Sequence, residues 1–252
     1  MSTDPIGRTA LVTGASRGIG AEVARQLAEM GFLVIVNYRE KRVRADKVVD
    51  EIERSGGRAV ALGADLSDEM SVTALVSGIT DTFGQLDLLV LNASGGLELD
   101  AAPGYAMKLN RDSQLRLTEL VRPILRVGGR IVFVTSHQSH FFGQQPVPKD
   151  YEPIARSKRA GEDALRALIP QLNEQGVDLT VVSGDMIDGT IIVRLLERRD
   201  PDAVSSRRER GALPTIDEFA RVVAEASTAP VEPGQTFYVG GADYLATGAV
   251  DL

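Results

Sequence analysis

Short, nearly continuous apolar runs alternate along this chain with longer stretches in which apolar residues return every three or four positions. The runs fall at 9–13, 33–37, 59–63, 86–92, 130–135, 178–182 and 236–239 and predict seven strands. Their lack of polar alternation fits strands buried on both faces. The intervening periodic stretches predict helices over 18–30, 43–55, 70–83, 103–126, 153–174 and 215–227. Ser67, Asp68 and Glu69 form a helix-start signal, and Gly31, Gly56 and Gly176 stop signals. Strands alternating with helices predict an α/β fold, a doubly wound parallel sheet of about seven strands with helices on both faces. No repeat or linker divides the 252 residues, so one domain is expected.

The first strand runs into Thr13-Gly14-Ala15-Ser16-Arg17-Gly18-Ile19-Gly20. Gly14 permits a tight turn, Gly18 lets backbone approach a phosphate, and Gly20 lets the helix pack on the strand. The helix start then offers free N–H groups and a positive dipole end to a pyrophosphate. A strand before and a helix after are the context that gives such a motif weight. Ligands of open sheets bind beyond the carboxyl ends of the strands.

The spacing Gly-x-x-x-Gly-x-Gly resembles that of the short-chain dehydrogenase/reductase (SDR) family, and later landmarks follow in order. They are Asp65-Leu66, Asn92-Ala93-Ser94-Gly95, Asn110, Thr135-Ser136, Ser157-Lys158 and Val239-Gly240-Gly241. The resemblance covers nearly the whole chain and extends to 3-oxoacyl-[acyl-carrier-protein] reductase-like members. It implies a Rossmann-type domain, a nicotinamide cofactor, and oxidation or reduction of a carbonyl/alcohol pair by hydride transfer. It also implies a homotetramer or homodimer paired through the 103–126 and 153–174 helices, and a substrate lid at about 187–213.

By resemblance, the cofactor is held by Gly14, Ser16, Arg17, Gly18, Ile19, Gly20, Asn37, Tyr38, Arg39, Asp65, Leu66, Asn92, Ala93, Gly95, Lys158, Gly184, Ile187 and Thr190. The second strand ends in Asn37-Tyr38-Arg39, with no carboxylate until Glu40. An acidic residue there would accept from the ribose 2′-hydroxyl and repel a 2′-phosphate. Its absence, with Arg17 and Arg39 able to flank a 2′-phosphate, favours NADP(H) over NAD(H).

The family's chemistry needs a tyrosine, a lysine four residues later, a serine and an asparagine. Ser136, Asn110 and Lys158 match. Four residues before Lys158 stands Ile154, which transfers no proton. The nearby tyrosine is Tyr151, seven residues before Lys158, and Pro153 places it in a loop before the helix. Three arrangements remain open. The long 137–152 loop folds Tyr151 back to Ser136 and Lys158. Alternatively the site lacks a donor and the protein is a dinucleotide-binding sensor or scaffold. In the third, His137 or His140 substitutes, imidazole being suited to proton transfer near neutral pH.

The lid carries Arg194, Arg198, Arg199, Arg207, Arg208 and Arg210. They form either a solvated face or an attractor for an anionic substrate such as an acyl carrier or coenzyme A thioester. Acidic residues interspersed among them dilute the second case. The net charge of −7 argues against nucleic-acid binding. Absent cysteines exclude disulfides and thiolate chemistry. No signal peptide or membrane-length apolar run is read, so a cytoplasmic protein with a small-molecule substrate and no metal is expected.

Overall fold

Residues 7–96 and 102–243 are described in the structure, a computed structural model. All seven predicted strands form, and they pair in parallel in the order β3-β2-β1-β4-β5-β6-β7. They are β1 Thr9–Val12, β2 Leu33–Tyr38, β3 Arg58–Gly63, β4 Leu86–Leu91, β5 Leu125–Ser136, β6 Asp178–Gly184 and β7 Thr236–Val239. The order reverses between β1 and β4, which opens a crevice above their carboxyl ends.

Side-chain alternation divides the core into two layers. On one face Ala10, Val12, Val34 and Val36 pack under α1 (Gly18–Glu29) and α2 (Arg42–Arg54), while Val132 and Val182 join the same layer. On the other, Leu11, Ile35, Leu89 and Ile131 meet Leu75 and Ile79 of α3 (Glu69–Phe83). Asp68 accepts from the Ser71 amide and caps α3.

Two predicted long helices are broken. The 103–126 helix is α4 (Tyr105–Met107), a π-helical turn at Lys108–Asp112 and α5 (Ser113–Val121). Pro123 tightens Arg122–Ile124 into a single 3-10 turn, and Arg126 already belongs to β5. A short helix α6 (His137–His140) follows β5. The 153–174 helix divides into α7 (Glu152–Arg166) and α8 (Ile169–Glu174), because Pro170 opens a new helix rather than continuing one. The lid comprises α9 (Ile191–Arg199) and α10 (Pro201–Glu209). The last helix, α11 (Ile216–Ala226), starts at a capping box of Thr215 and Glu218 and buries Phe219 and Val223 in the first layer. No helix among the described residues is long and apolar enough to cross a membrane.

Candidate active site

The glycine turn leaves β1 at the strand-order reversal and is braced from below. Thr13 donates its hydroxyl proton to the Val90 carbonyl and accepts from the Asn92 and Ala93 amides, at 2.9 and 3.0 Å for the latter two. The Asn92 side-chain amide donates to the Thr13 carbonyl at 2.9 Å. A Cβ on Gly20 would lie 2.4 Å from that amide nitrogen, so only glycine brings α1 this close. Gly14 and Gly18 adopt φ of +63° and +56°, and open space lies beside Gly18. Arg17 precedes α1 with no side-chain cap, so no side chain occupies the first amides of the helix. Ser16 and Ile19 flank them half-buried. This is a cradle for an anion.

Several residues predicted to touch cofactor face inward. Asn37 is buried: its carbonyl oxygen accepts from the Gly14 amide, and its amide donates to the Leu62 and Ala64 carbonyls. These bonds shape the turn. Asn92 likewise staples two loops, and the Leu66 side chain lies in the core, leaving its backbone to the crevice. The Gly184 Cα faces Phe219, where a Cβ would come within 2.3 Å of the ring. Tyr38 lays its ring over Gly63. Asp65 accepts from the Ser67 amide and hydroxyl through one oxygen. Arg39 reaches the Tyr105 hydroxyl at 2.7 Å, and nearly half of its side chain is exposed. A cleft of about 260 Å³ beside the turn is lined by Ser16, Arg17, Gly18, Arg44 and Lys47, among others. Thr190 caps α9 through the Val193 amide and donates to the buried Ile187 carbonyl.

At the end of β5, the Ser136 hydroxyl lies 3.3 Å from the Tyr151 hydroxyl and 2.9 Å from that of Ser139. Tyr151 is not in a loop. It ends a 3-10 turn (Lys149–Tyr151) that runs into α7, where Glu152 precedes Pro153. Its ring packs with Ile154 and Ala155, against Ala106, Phe142 and Val147. Ile154, at the family's tyrosine position, is an apolar plug under Gly96. Burial pushes the Tyr151 phenol up, and contacts with Ser136 and Ser139 only partly oppose this. Burial is the dominant influence, and the phenol is held protonated. Lys158 is buried on α7, without a hydrogen bond among the described residues, and burial brings its ammonium down to about 8.

Asn110 lies in the π turn and is buried. Its amide donates to the Gly95 carbonyl at 2.9 Å and to the Ser157 hydroxyl at 3.0 Å, and its side-chain oxygen accepts from the Gly95 amide. It locks the β4 loop to α7. A Cβ on Gly161 would lie 2.2 Å from the Asn110 carbonyl oxygen. Gly161→Ala is thus expected to push α7 away and cost roughly 1–3 kcal/mol. For a chain of this size that lowers the thermal midpoint by about 2–4 °C per kcal/mol. An unchanged midpoint in calorimetry would contradict the close approach.

Both histidines are engaged by other partners. His137 Nδ1 pairs with the Ser183 hydroxyl at 2.8 Å and Nε2 with the Gly240 carbonyl at 3.0 Å. Burial holds His137 below its usual value despite that carbonyl. His140 is bound to Glu162 and the Tyr238 hydroxyl. Both rings join elements behind the site. The lid arginines do not form one free face either. Arg207 is buried between Asp185 and Asp243, and Arg208 pairs with Asp188 and Glu197. Ser139 was not anticipated from the sequence; its spacing of three from Ser136 on a short helix was the available signal.

A glycine cradle at the switch point of a seven-stranded parallel sheet, with serine and tyrosine hydroxyls beyond a neighbouring strand, defines a Rossmann-type dinucleotide-binding oxidoreductase fold. The chain belongs to the short chain dehydrogenase family, which residues 8–200 match. It is 34% identical over 220 residues to the versicolorin reductase of Emericella nidulans, covering 85% of this chain and 80% of that one. It is also 34% identical over 221 residues to a probable tetrahydroxynaphthalene reductase of Zymoseptoria tritici, covering 85% and 79%. Among solved structures, an angucycline C-6 ketoreductase with bound NADP superimposes with a TM-score of 0.79 at 28% identity, covering 96% of this chain and 97% of that one. A short chain dehydrogenase from Burkholderia cenocepacia in complex with NADP gives 0.80 at 28% identity, covering 96% and 100%.

Proposed function

We propose that the protein is an NADPH-dependent ketoreductase, with Tyr151 as proton donor, Ser136 and Ser139 orienting the substrate oxygen, and Lys158 holding the cofactor ribose. The observation that carries this reading is the hydroxyl contact of the buried Tyr151 with Ser136. A phenol held protonated suits an acid that completes reduction better than a base that starts oxidation. The alternative of a sensor or scaffold draws on the missing tyrosine at Ile154. A phenol placed on Ser136 from seven residues before Lys158 supports the enzyme reading over it.

The residues fit the cofactor. The uncapped amides of α1 and the Gly18 opening suit a pyrophosphate, and Asp65 with the Leu66 backbone suits the adenine. The Ala93 and Gly95 backbone would line the ribose side, with the Ile187 backbone and Thr190 at the carboxamide. When bound, the nicotinamide supplies the hydride. The Ser136 hydroxyl then donates to the substrate carbonyl oxygen, and Tyr151 Oη gives that oxygen its proton. Ile154, Phe142 and Val147 pack the Tyr151 ring in place.

Arg17 and Arg39, with Arg44 and Lys47 at the adjoining cleft, support a 2′-phosphate. Arg39→Ala is expected to weaken NADPH roughly 10–100-fold, the range of one or two charged hydrogen bonds, while NADH affinity holds. Titration calorimetry with both cofactors checks this, and tighter NADH binding by the wild type would overturn the assignment. The substrate we favour is a ring ketone rather than a 3-oxoacyl thioester. Two lid arginines are engaged internally, and the similar proteins include reductases named for naphthalene and angucycline substrates.

A further inference from the structure

Behind Lys158 lies a buried charge network that this chemistry does not by itself require. Glu162 sits one helical turn after Lys158 on the same face of α7, a spacing that brings side chains together. Its side chain is 1% exposed. One carboxylate oxygen accepts from Arg166 Nε at 2.8 Å, and His140 Nδ1 lies 2.9 and 3.0 Å from the two oxygens. Arg166 is anchored in turn by the Gly234 carbonyl and the Thr236 hydroxyl. The Tyr238 hydroxyl closes the far side through His140 Nε2, and Arg159 reaches the His140 carbonyl and Asp163. Burial opposes ionisation of Glu162, but His140 and Arg166 outweigh it, so the carboxylate stays charged. A buried carboxylate held this way has no direct route to substrate. The buried ammonium of Lys158 is the group whose charge it favours.

We propose that Glu162 is a positioning residue that, clamped by His140 and Arg166, stabilises the Lys158 ammonium and thereby sets the pH range over which the protein holds its anionic cofactor. The functional half rests on the reading of Lys158 as the cofactor's ribose anchor. In the wild type, NADPH affinity is expected to fall as pH rises through about 8, because the ammonium is then lost. Glu162→Gln removes the attracting charge and moves that midpoint to lower pH. Arg166→Gln removes the cation competing for the same carboxylate and moves it to higher pH. A merely structural disturbance would move both the same way.

The direct measurement is NMR titration of Lys158 in the apoprotein with carbon-13-labelled lysine, the resonance assigned by its absence in Lys158→Met. Opposite displacements of the Lys158 midpoint in E162Q and R166Q are the expected result. An unmoved midpoint, or displacements of the same sign, overturns the proposal. Should E162Q fail to fold, a midpoint in R166Q that stays or falls overturns it equally. NADPH affinity is measured across the same pH range by fluorescence. A wild type that binds no NADPH would defeat the cofactor reading, while the apoprotein titration still decides whether Glu162 governs Lys158.

Discussion

Tyr151→Phe is expected to lower NADPH-dependent ketone reduction by ~10²–10⁴-fold, the usual contribution of a general acid, with NADPH affinity nearly unchanged. The phenol oxygen lies 3.3 Å from the Ser136 hydroxyl, and the substituted ring keeps its packing against Phe142 and Val147. Removing the oxygen therefore deletes the proton source and little else. The loss should appear in kcat, because the proton is transferred in the chemical step. His137→Gln and His140→Gln leave the donor in place. A Tyr151→Phe enzyme that reduces a panel of ring ketones at wild-type rate would sink the assignment of the donor. A histidine variant without activity would then move the role to that imidazole.

The second large effect concerns Lys158. Lys158→Met keeps the apolar stem and removes the ammonium. NADPH affinity should fall roughly 10–100-fold, as expected for one or two charged hydrogen bonds to ribose hydroxyls, and ketone reduction should be lost with it. Stability should move the other way. The ammonium is buried without a hydrogen bond among the described residues, and burial lowers it to about 8, the sign of a charge held against its preference. The thermal midpoint of Lys158→Met is therefore expected to equal or exceed the wild-type value. Calorimetric binding together with a thermal melt separates the cases. A sharp fall in midpoint with NADPH affinity intact would make Lys158 a structural residue instead.

The framework was legible in the chain because its determinants are local. The apolar runs of Thr9–Val12, Leu33–Tyr38 and Asp178–Gly184 needed only their own residues to read as buried strands. The turn from Gly14 to Gly20 announced a phosphate cradle through spacing and flanking elements alone. Helix breaks at Pro123 and Pro170 were visible in the sequence but were overridden by the surrounding periodicity. Proline has no N–H to bond the carbonyl four residues back, but it is tolerated in a helix's first turn, so where it ends one depends on local geometry.

What only the tertiary structure decided is the direction of side chains whose partners lie far along the chain. Asn37 turned to Gly14, Leu62 and Ala64, and Asn92 turned to Thr13, because the turn of β1 must be satisfied by neighbouring strands. His137 and His140 were drawn to Ser183, Gly240, Glu162 and Tyr238, and Arg207 to Asp185 and Asp243. Residue type and spacing define which groups can titrate or bond, but a buried polar group takes whichever partner the packed elements bring within reach. Tyr151 shows the same limit at the site itself. Its distance from Lys158 in sequence placed it outside the family's pattern, and only the path of the chain after α6 set its hydroxyl against Ser136.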